Sequence, residues 1–257
     1  MWKVDFMNRK YFSVFFLLLV IIARILFTEQ SVKVMRNVFF ETSSLQKDSK
    51  ITTIVLDAGH GGRDPGKIGV NDAIEKDINL DIALRLKNLL EQNDINVIMT
   101  RVDDEGLYLE SDSNKKRADL NKRIEIINSS DAIFAISIHQ NSFSDESVKG
   151  AQVFYHAQSE QGKNLAMVLQ EQLKDTIKDG NHRKAKSNTN YYLLKHTTCP
   201  LVIVECGYLS NWTEAELLLD EDYKEKMAWA IHLGIIRFIN MGEDITYESY
   251  MDKCIKT

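Results

Sequence analysis

Short β-branched runs alternate with stretches of helical spacing along this chain. The run at residues 51–56 carries Ile51, Ile54, Val55 and Leu56 and stops at a glycine-rich segment, which predicts a strand entering a tight loop. Over residues 77–92, Ile78, Ile82, Leu86, Leu89 and Leu90 recur on one helix face, with Asp77 as the candidate N-cap. A second strand is expected at residues 96–100. Residues 102–114 are acidic and lack a period, and residues 115–128 read as a helix with Ala118, Ile124 and Ile127 inside. Residues 132–138 are almost continuously apolar, as in a sheet covered on both faces. A strand at 151–156, a helix at 160–176, a polar loop at 178–190, a strand at 201–204 and a closing helix at 222–240 complete the pattern. Such alternation predicts an α/β fold, a single domain with a mixed, mostly parallel sheet covered by helices on both faces. In sheets of this kind ligands gather at the carboxyl ends of strands. His60 follows the first strand, His139 the third and Glu205 the last.

At 257 residues and 44% hydrophobic, the chain has room for one sizeable core. Its net charge of −5 offers no broad cationic field and argues against a nucleic-acid partner. The N-terminus changes this picture, because Lys3, Arg9 and Lys10 precede an apolar run from Tyr11 to Ala23 that resumes after Arg24. That is an export signal, lying between a cleavable apolar region of roughly 7–15 residues and a spanning helix of roughly 20. No small-residue cleavage site follows, which favours an uncleaved membrane anchor with the rest of the chain outside. The expected organisation is a signal sequence or membrane anchor at 1–30, a linker at 31–50, a catalytic domain at 51–242 and a tail at 243–257. Cys199, Cys206 and Cys254 are odd in number and form no CxxC pair, so free thiols are expected rather than a disulfide framework.

The chemistry gathers around four residues. Zinc takes imidazole nitrogens and carboxylate oxygens, and catalytic sites commonly use three protein ligands and leave a fourth position for water. His60, Glu75 and His139 would supply such a set. Glycines 59, 61 and 62 free the backbone around His60. A phosphate loop is the rival reading there, but no Gly-Lys-Ser/Thr follows. Glu75 reads equally well as a surface acid compensating a helix dipole, and a buried structural histidine competes for His139. Glu205 follows four apolar strand residues, where a carboxylate carries a desolvation penalty unless it is paired or near a metal. Partial burial would raise its pKa and suit it to proton transfer.

Four segments, DAGHGGRDPG at 57–66, EKD at 75–77, SIHQN at 137–141 and VECGYLSN at 204–211, together resemble the zinc-dependent N-acetylmuramoyl-L-alanine amidases in order and spacing. The resemblance covers about residues 51–240. It implies one Zn²⁺ held by His60, Glu75 and His139, Glu205 as the catalytic glutamate, and peptidoglycan as substrate. Asn141 matches the polar residue two places after the second histidine. A compact domain behind an export segment, without cell-wall repeats or an inserted inhibitory helix, resembles the germination-specific branch. That branch removes stem peptides so that muramic-δ-lactam can form in the spore cortex. The export segment implies an extracytoplasmic enzyme, membrane-anchored or secreted to the cell wall or spore cortex space. Without a wall-binding module, either membrane tethering or an accessory activating or localising protein is the expected source of its location and activity. A vegetative amidase for cell separation, a zinc peptidase cutting stem peptides and a membrane-anchored wall-binding protein are the alternatives.

Overall fold

The computed structural model describes residues 52–255 together with Leu19, Arg24 and Lys33, and side chains as far as Met241 in the last helix. The expected anchor and linker therefore lie outside the described residues. Among the described residues no helix is long and apolar enough to cross a membrane.

Among the described residues six strands form one sheet. In chain order the elements are β1 (Thr53–Ala58), α1 (Glu75–Glu91), β2 (Asn96–Met99), α2 (Lys115–Ser129), β3 (Ala135–Asn141), β4 (Gln152–Tyr155), α3 (Glu160–Ile177), β5 (Lys186–Ser187), α4 (Tyr192–His196), β6 (Leu201–Tyr208), α5 (Trp212–Leu217) and α6 (Glu221–Ile255). The strand order is β2-β1-β3-β6-β4-β5. Pairing is parallel except between β4 and β6, so the sheet is mixed and mostly parallel as expected.

Alternation along the central strands divides the core between the two faces. Ile54, Leu56, Ile136, Ile138, Val202 and Val204 pack with α1, α3 and α6. Val55, Ala135, Leu201 and Ile203 face the other way, against Ile127 of α2 and Leu193 of α4. On α6, Met227, Ala230, Ile231 and Ile235 are completely buried, and each large aliphatic among them contributes roughly 1.5–3 kcal/mol. α6 continues beyond the expected end at residue 240 to Ile255.

Three boundaries differ from expectation in ways that matter for function. β3 and β6 run on through His139 and Glu205, which pair in register, so both residues sit within strands rather than after them. Ladder bonding persists where apolar character stops. Asp77 does not cap α1; the N-cap is Ile74, with no side-chain hydrogen bond. Carbonyls of the preceding loop take the orphan donors instead, Lys67 O from Glu75 N at 3.0 Å and Pro65 O from Lys76 N at 3.1 Å. The loop after His60 and the helix carrying Glu75 are thereby joined.

Candidate active site

His60 leaves β1 in a left-handed conformation, φ +62°. For a residue with a Cβ this costs on the order of 1–3 kcal/mol and persists only where the surroundings enforce it. Two buried arginines do so. Arg123 donates to His60 O at 2.5 Å and to Ala58 O at 2.7 Å, while Arg101 donates to Ala58 O at 2.9 Å and Gly59 O at 3.0 Å. Beneath them Asp57 accepts from Arg123 at 2.6 Å, Ser137 at 2.5 Å and Thr100 at 2.7 Å.

Burial alone would raise the Asp57 pKa, but the Arg123 charge and the two hydroxyl donors outweigh it and hold the carboxyl at about 2, against an ordinary 3.8. A depressed carboxyl stabilises the fold above its unfolded pKa and loses that contribution as pH falls through its folded one. The shift corresponds to about 2 kcal/mol, present above pH 4 or so and lost towards pH 2. Urea unfolding across this window should show that loss. Asp57→Asn should cost less than about 3–5 kcal/mol, the penalty of a fully unpaired buried charge, because Asp119 still pairs with Arg123, and should make the dependence shallower. An unchanged acid slope in the variant would assign the loss to another carboxylate.

Glu75 lies between the two histidines. Its Oε1 is 3.2 Å from His60 Nε2 and 2.9 Å from His139 Nδ1, and the imidazoles meet edge to face at 5.0 Å. Backbone donors hold both carboxylate oxygens, Gln140 N on Oε1 at 3.1 Å and Lys67 N on Oε2 at 2.7 Å. Burial opposes the charge on Glu75, yet hydrogen bonds from His139 and His60 prevail and its pKa falls far below the carboxylate range. For His139 burial lowers the pKa, and the Glu75 carboxylate more than reverses it, so the net shift is upward. His60 Nδ1 contacts Asp64 Oδ2 at 3.0 Å. A carboxylate on the outer nitrogen fixes the tautomer and directs the other nitrogen inward.

One ligand atom from each of His60, Glu75 and His139 lies within 4.8 Å of the others, a group able to hold a metal ion. The surroundings are shaped to these side chains. A Cβ on Gly59 would stand 2.3 Å from the His139 ring, and one on Gly66 would stand 2.6 Å from Glu75 Oε2 and 2.7 Å from His60 Cδ2. Glu205, opposite His139, is 7% exposed, and burial pushes its pKa up to about 7. Its Oε1 accepts from the Tyr191 hydroxyl at a long 3.5 Å, and Oε2 is buried with no hydrogen-bond partner among the described residues. A buried orphan of this kind in a native site is accounted for by a water or an ion. Asn141 is turned into its own loop, where its Oδ1 accepts from Ser142 N at 2.8 Å.

All four residues singled out from the sequence therefore converge. Asp64, Arg101, Arg123 and Tyr191 were not anticipated. For Arg123 a signal existed, since it stands four residues before the buried Ile127 and so on the inner face of α2. Tyr191 precedes a five-residue helix, too short to show a period. Cys199 and Cys206 are free thiols, as expected.

The chain resembles known proteins in sequence and fold. A family model for N-acetylmuramoyl-L-alanine amidase matches residues 54–237. The germination-specific N-acetylmuramoyl-L-alanine amidase of Bacillus subtilis is 37% identical over 204 residues, covering 78% of this chain and 84% of the relative. Among solved structures, the CwlD amidase of Clostridioides difficile, in complex with the GerS lipoprotein, is 44% identical with a TM-score of 0.72, covering 74% of this chain and 99% of that one. The catalytic domain of CwlV from Bacillus (Paenibacillus) polymyxa is 30% identical with a TM-score of 0.64, covering 74% and 99%. The chain belongs to the N-acetylmuramoyl-L-alanine amidases, which hydrolyse the amide joining the muramoyl lactyl group to L-alanine in peptidoglycan.

Proposed function

We propose that the chain is a zinc-dependent amidase acting in spore-cortex maturation, with His60, Glu75 and His139 as metal ligands and Glu205 as general base. The observation that carries this reading is the pairing of a three-donor cluster with a buried carboxylate whose second oxygen has no partner. Two imidazoles and a carboxylate suit zinc, and three protein ligands leave one position open. When bound, zinc supplies a Lewis acid that polarises the lactyl amide carbonyl and acidifies a water molecule.

The remaining work falls to the protein's own groups. Burial raises the pKa of Glu205 and so strengthens it as a base for the proton of the attacking water, which it can then return as an acid. The proton goes to the nitrogen of L-alanine as the C–N bond breaks, leaving a lactyl carboxylate on the glycan and a free amine on the peptide. Tyr191, packed edge to face on Phe154, limits the swing of the carboxylate. Asp64 and the Arg123 bond to His60 O keep the first imidazole aimed inward.

The spore-cortex assignment rests on the germination-specific relative of Bacillus subtilis and on CwlD. The GerS lipoprotein bound to CwlD supports an accessory protein for this chain too. In this reading residues 1–30 export and anchor the enzyme, 31–50 link it to the catalytic domain at 51–242, and 243–257 form a C-terminal extension outside the membrane.

Digestion of cell-wall sacculi by the full-length protein, followed by mass spectrometry, tests the reaction. Intact stem peptides with free L-alanine amino termini are expected; shortened stems would make the enzyme a peptidase. Disruption of the gene should leave a cortex without muramic-δ-lactam, and a normal cortex would return the enzyme to vegetative wall turnover.

A further inference from the structure

The catalytic row does not stop at Glu205. His139 pairs with Glu205 across β3 and β6, and Glu205 pairs with Gln152 across β6 and β4. Directly opposed residues project to the same face of a sheet, so Gln152 is the next side chain along from the proposed base. Its Oε1 accepts from Arg183 Nη1 at 3.3 Å. The guanidinium also donates through Nε to Lys149 O at 2.7 Å and lies 4.8 Å above the Tyr208 ring. Tyr208 reaches that position because the β3–β6 register shifts after His139, which brings it opposite Asn141.

Arg183 is thus half-buried, held on three sides and one residue removed from the proposed base. Both of its hydrogen bonds go to neutral oxygens, and among the described residues no carboxylate forms an ion pair with it. Loop anchoring does not require it. Asn181 Nδ2 already donates to Ala151 O at 2.7 Å, and Gln152 Nε2 to Lys184 O at 2.9 Å. In a chain of net charge −5, Lys149, Lys184 and Lys186 add further cations to this end of the row.

The substrate is asymmetric in charge about the scissile amide. On the acyl side stand neutral amino sugars; on the amine side stands a peptide with free carboxylates. A preorganised guanidinium matches carboxylate geometry and discriminates against a neutral group in its place. We propose that Arg183 is a specificity-determining residue that binds a stem-peptide carboxylate, so that the peptide leaves the metal cluster over β4 and β5 and the glycan lies on the His60 side. This rests on the amidase reading and deepens it by orienting the substrate.

The test compares full-length wild type, Arg183→Gln and Arg183→Lys on two soluble muramoyl peptides, one with free stem carboxylates and one with those carboxylates amidated. Circular dichroism checks that each variant is folded. With the free carboxylates, Arg183→Gln should raise KM about 10- to 100-fold, the range for a lost hydrogen bond to a charged group; kcat should stay within about twofold, and Arg183→Lys should fall between. With the amidated substrate, wild type and both variants should share one KM. Equal loss on both substrates, or no loss on either, overturns the proposal and leaves Arg183 as a loop anchor. Failure of the wild type to cleave either substrate overturns the amidase reading, and this proposal with it.

Discussion

Replacing Glu205 with glutamine should reduce turnover of muramoyl peptides by about 10²- to 10⁴-fold, the usual range for removing a general base, while zinc content stays at the wild-type level. The two results belong together because Glu205 lies beside the metal-binding group and not within it. A third follows from burial. Glu205 is raised from an ordinary 4.5 to about 7, so the fold disfavours its charged form. A carboxyl raised in this way contributes its stability below the unfolded pKa, and that contribution drains away as pH climbs through the folded one. Metal-free wild type should therefore lose on the order of 3 kcal/mol more than Glu205→Gln between about pH 5 and pH 8, since the raised His139 sheds its own contribution over this range in both proteins. Reading the difference between the two pH values cancels any packing cost of the glutamine. A neighbouring divalent cation favours the carboxylate, so zinc should shrink the effect. Wild-type turnover in Glu205→Gln would sink its role as base.

His60→Ala should have the second largest consequence. Loss of an outer partner of a ligand typically weakens metal binding 10- to 100-fold, so loss of the ligand itself should exceed about 100-fold. Competition with a chromogenic chelator measures this directly, without reference to turnover. The variant keeps a Cβ at φ +62°, so the backbone strain there is unchanged, and the backbone bond from Arg123 to position 60 remains available. The metal-free protein should thus fold about as well as wild type and fail only in holding zinc. Wild-type zinc affinity in His60→Ala would refute the assignment of ligands.

Much of this site was legible in the sequence, for a definable reason. An apolar run that ends abruptly in a histidine or glutamate marks a strand delivering a polar group to the sheet edge, and His139 and Glu205 both carry that signal. His60 was marked by its glycines. Glu75 was not decidable from its surroundings, because what fixes it is the docking of residues 65–67 on the first turn of α1, a long-range contact with no local period. Only the four-segment resemblance joined it to the histidines. The β3 and β6 ends were placed too early because polarity was read as the end of a strand, whereas their hydrogen-bonded register continues to Asn141 and Tyr208. Arg123 shows the converse limit. A charged residue at an inward helical position is normally assigned to solvent, yet here it is among the most buried side chains of the molecule, since Asp57 and Asp119 neutralise it.

The reversal of direction at β4 has a bearing on how such an enzyme can diverge. All three proposed metal ligands belong to the β1–α1–β3 half of the sheet, while β4, β5 and the segments entering them at 142–151 and 178–185 carry none. Doubling the length of a surface loop costs only about 0.6 kcal/mol in closure entropy. Insertions in those two segments would alter which wall polymer is accepted and leave the metal cradle unchanged. Substrate range can therefore change along the β4–β5 side of the sheet without disturbing the three proposed metal ligands.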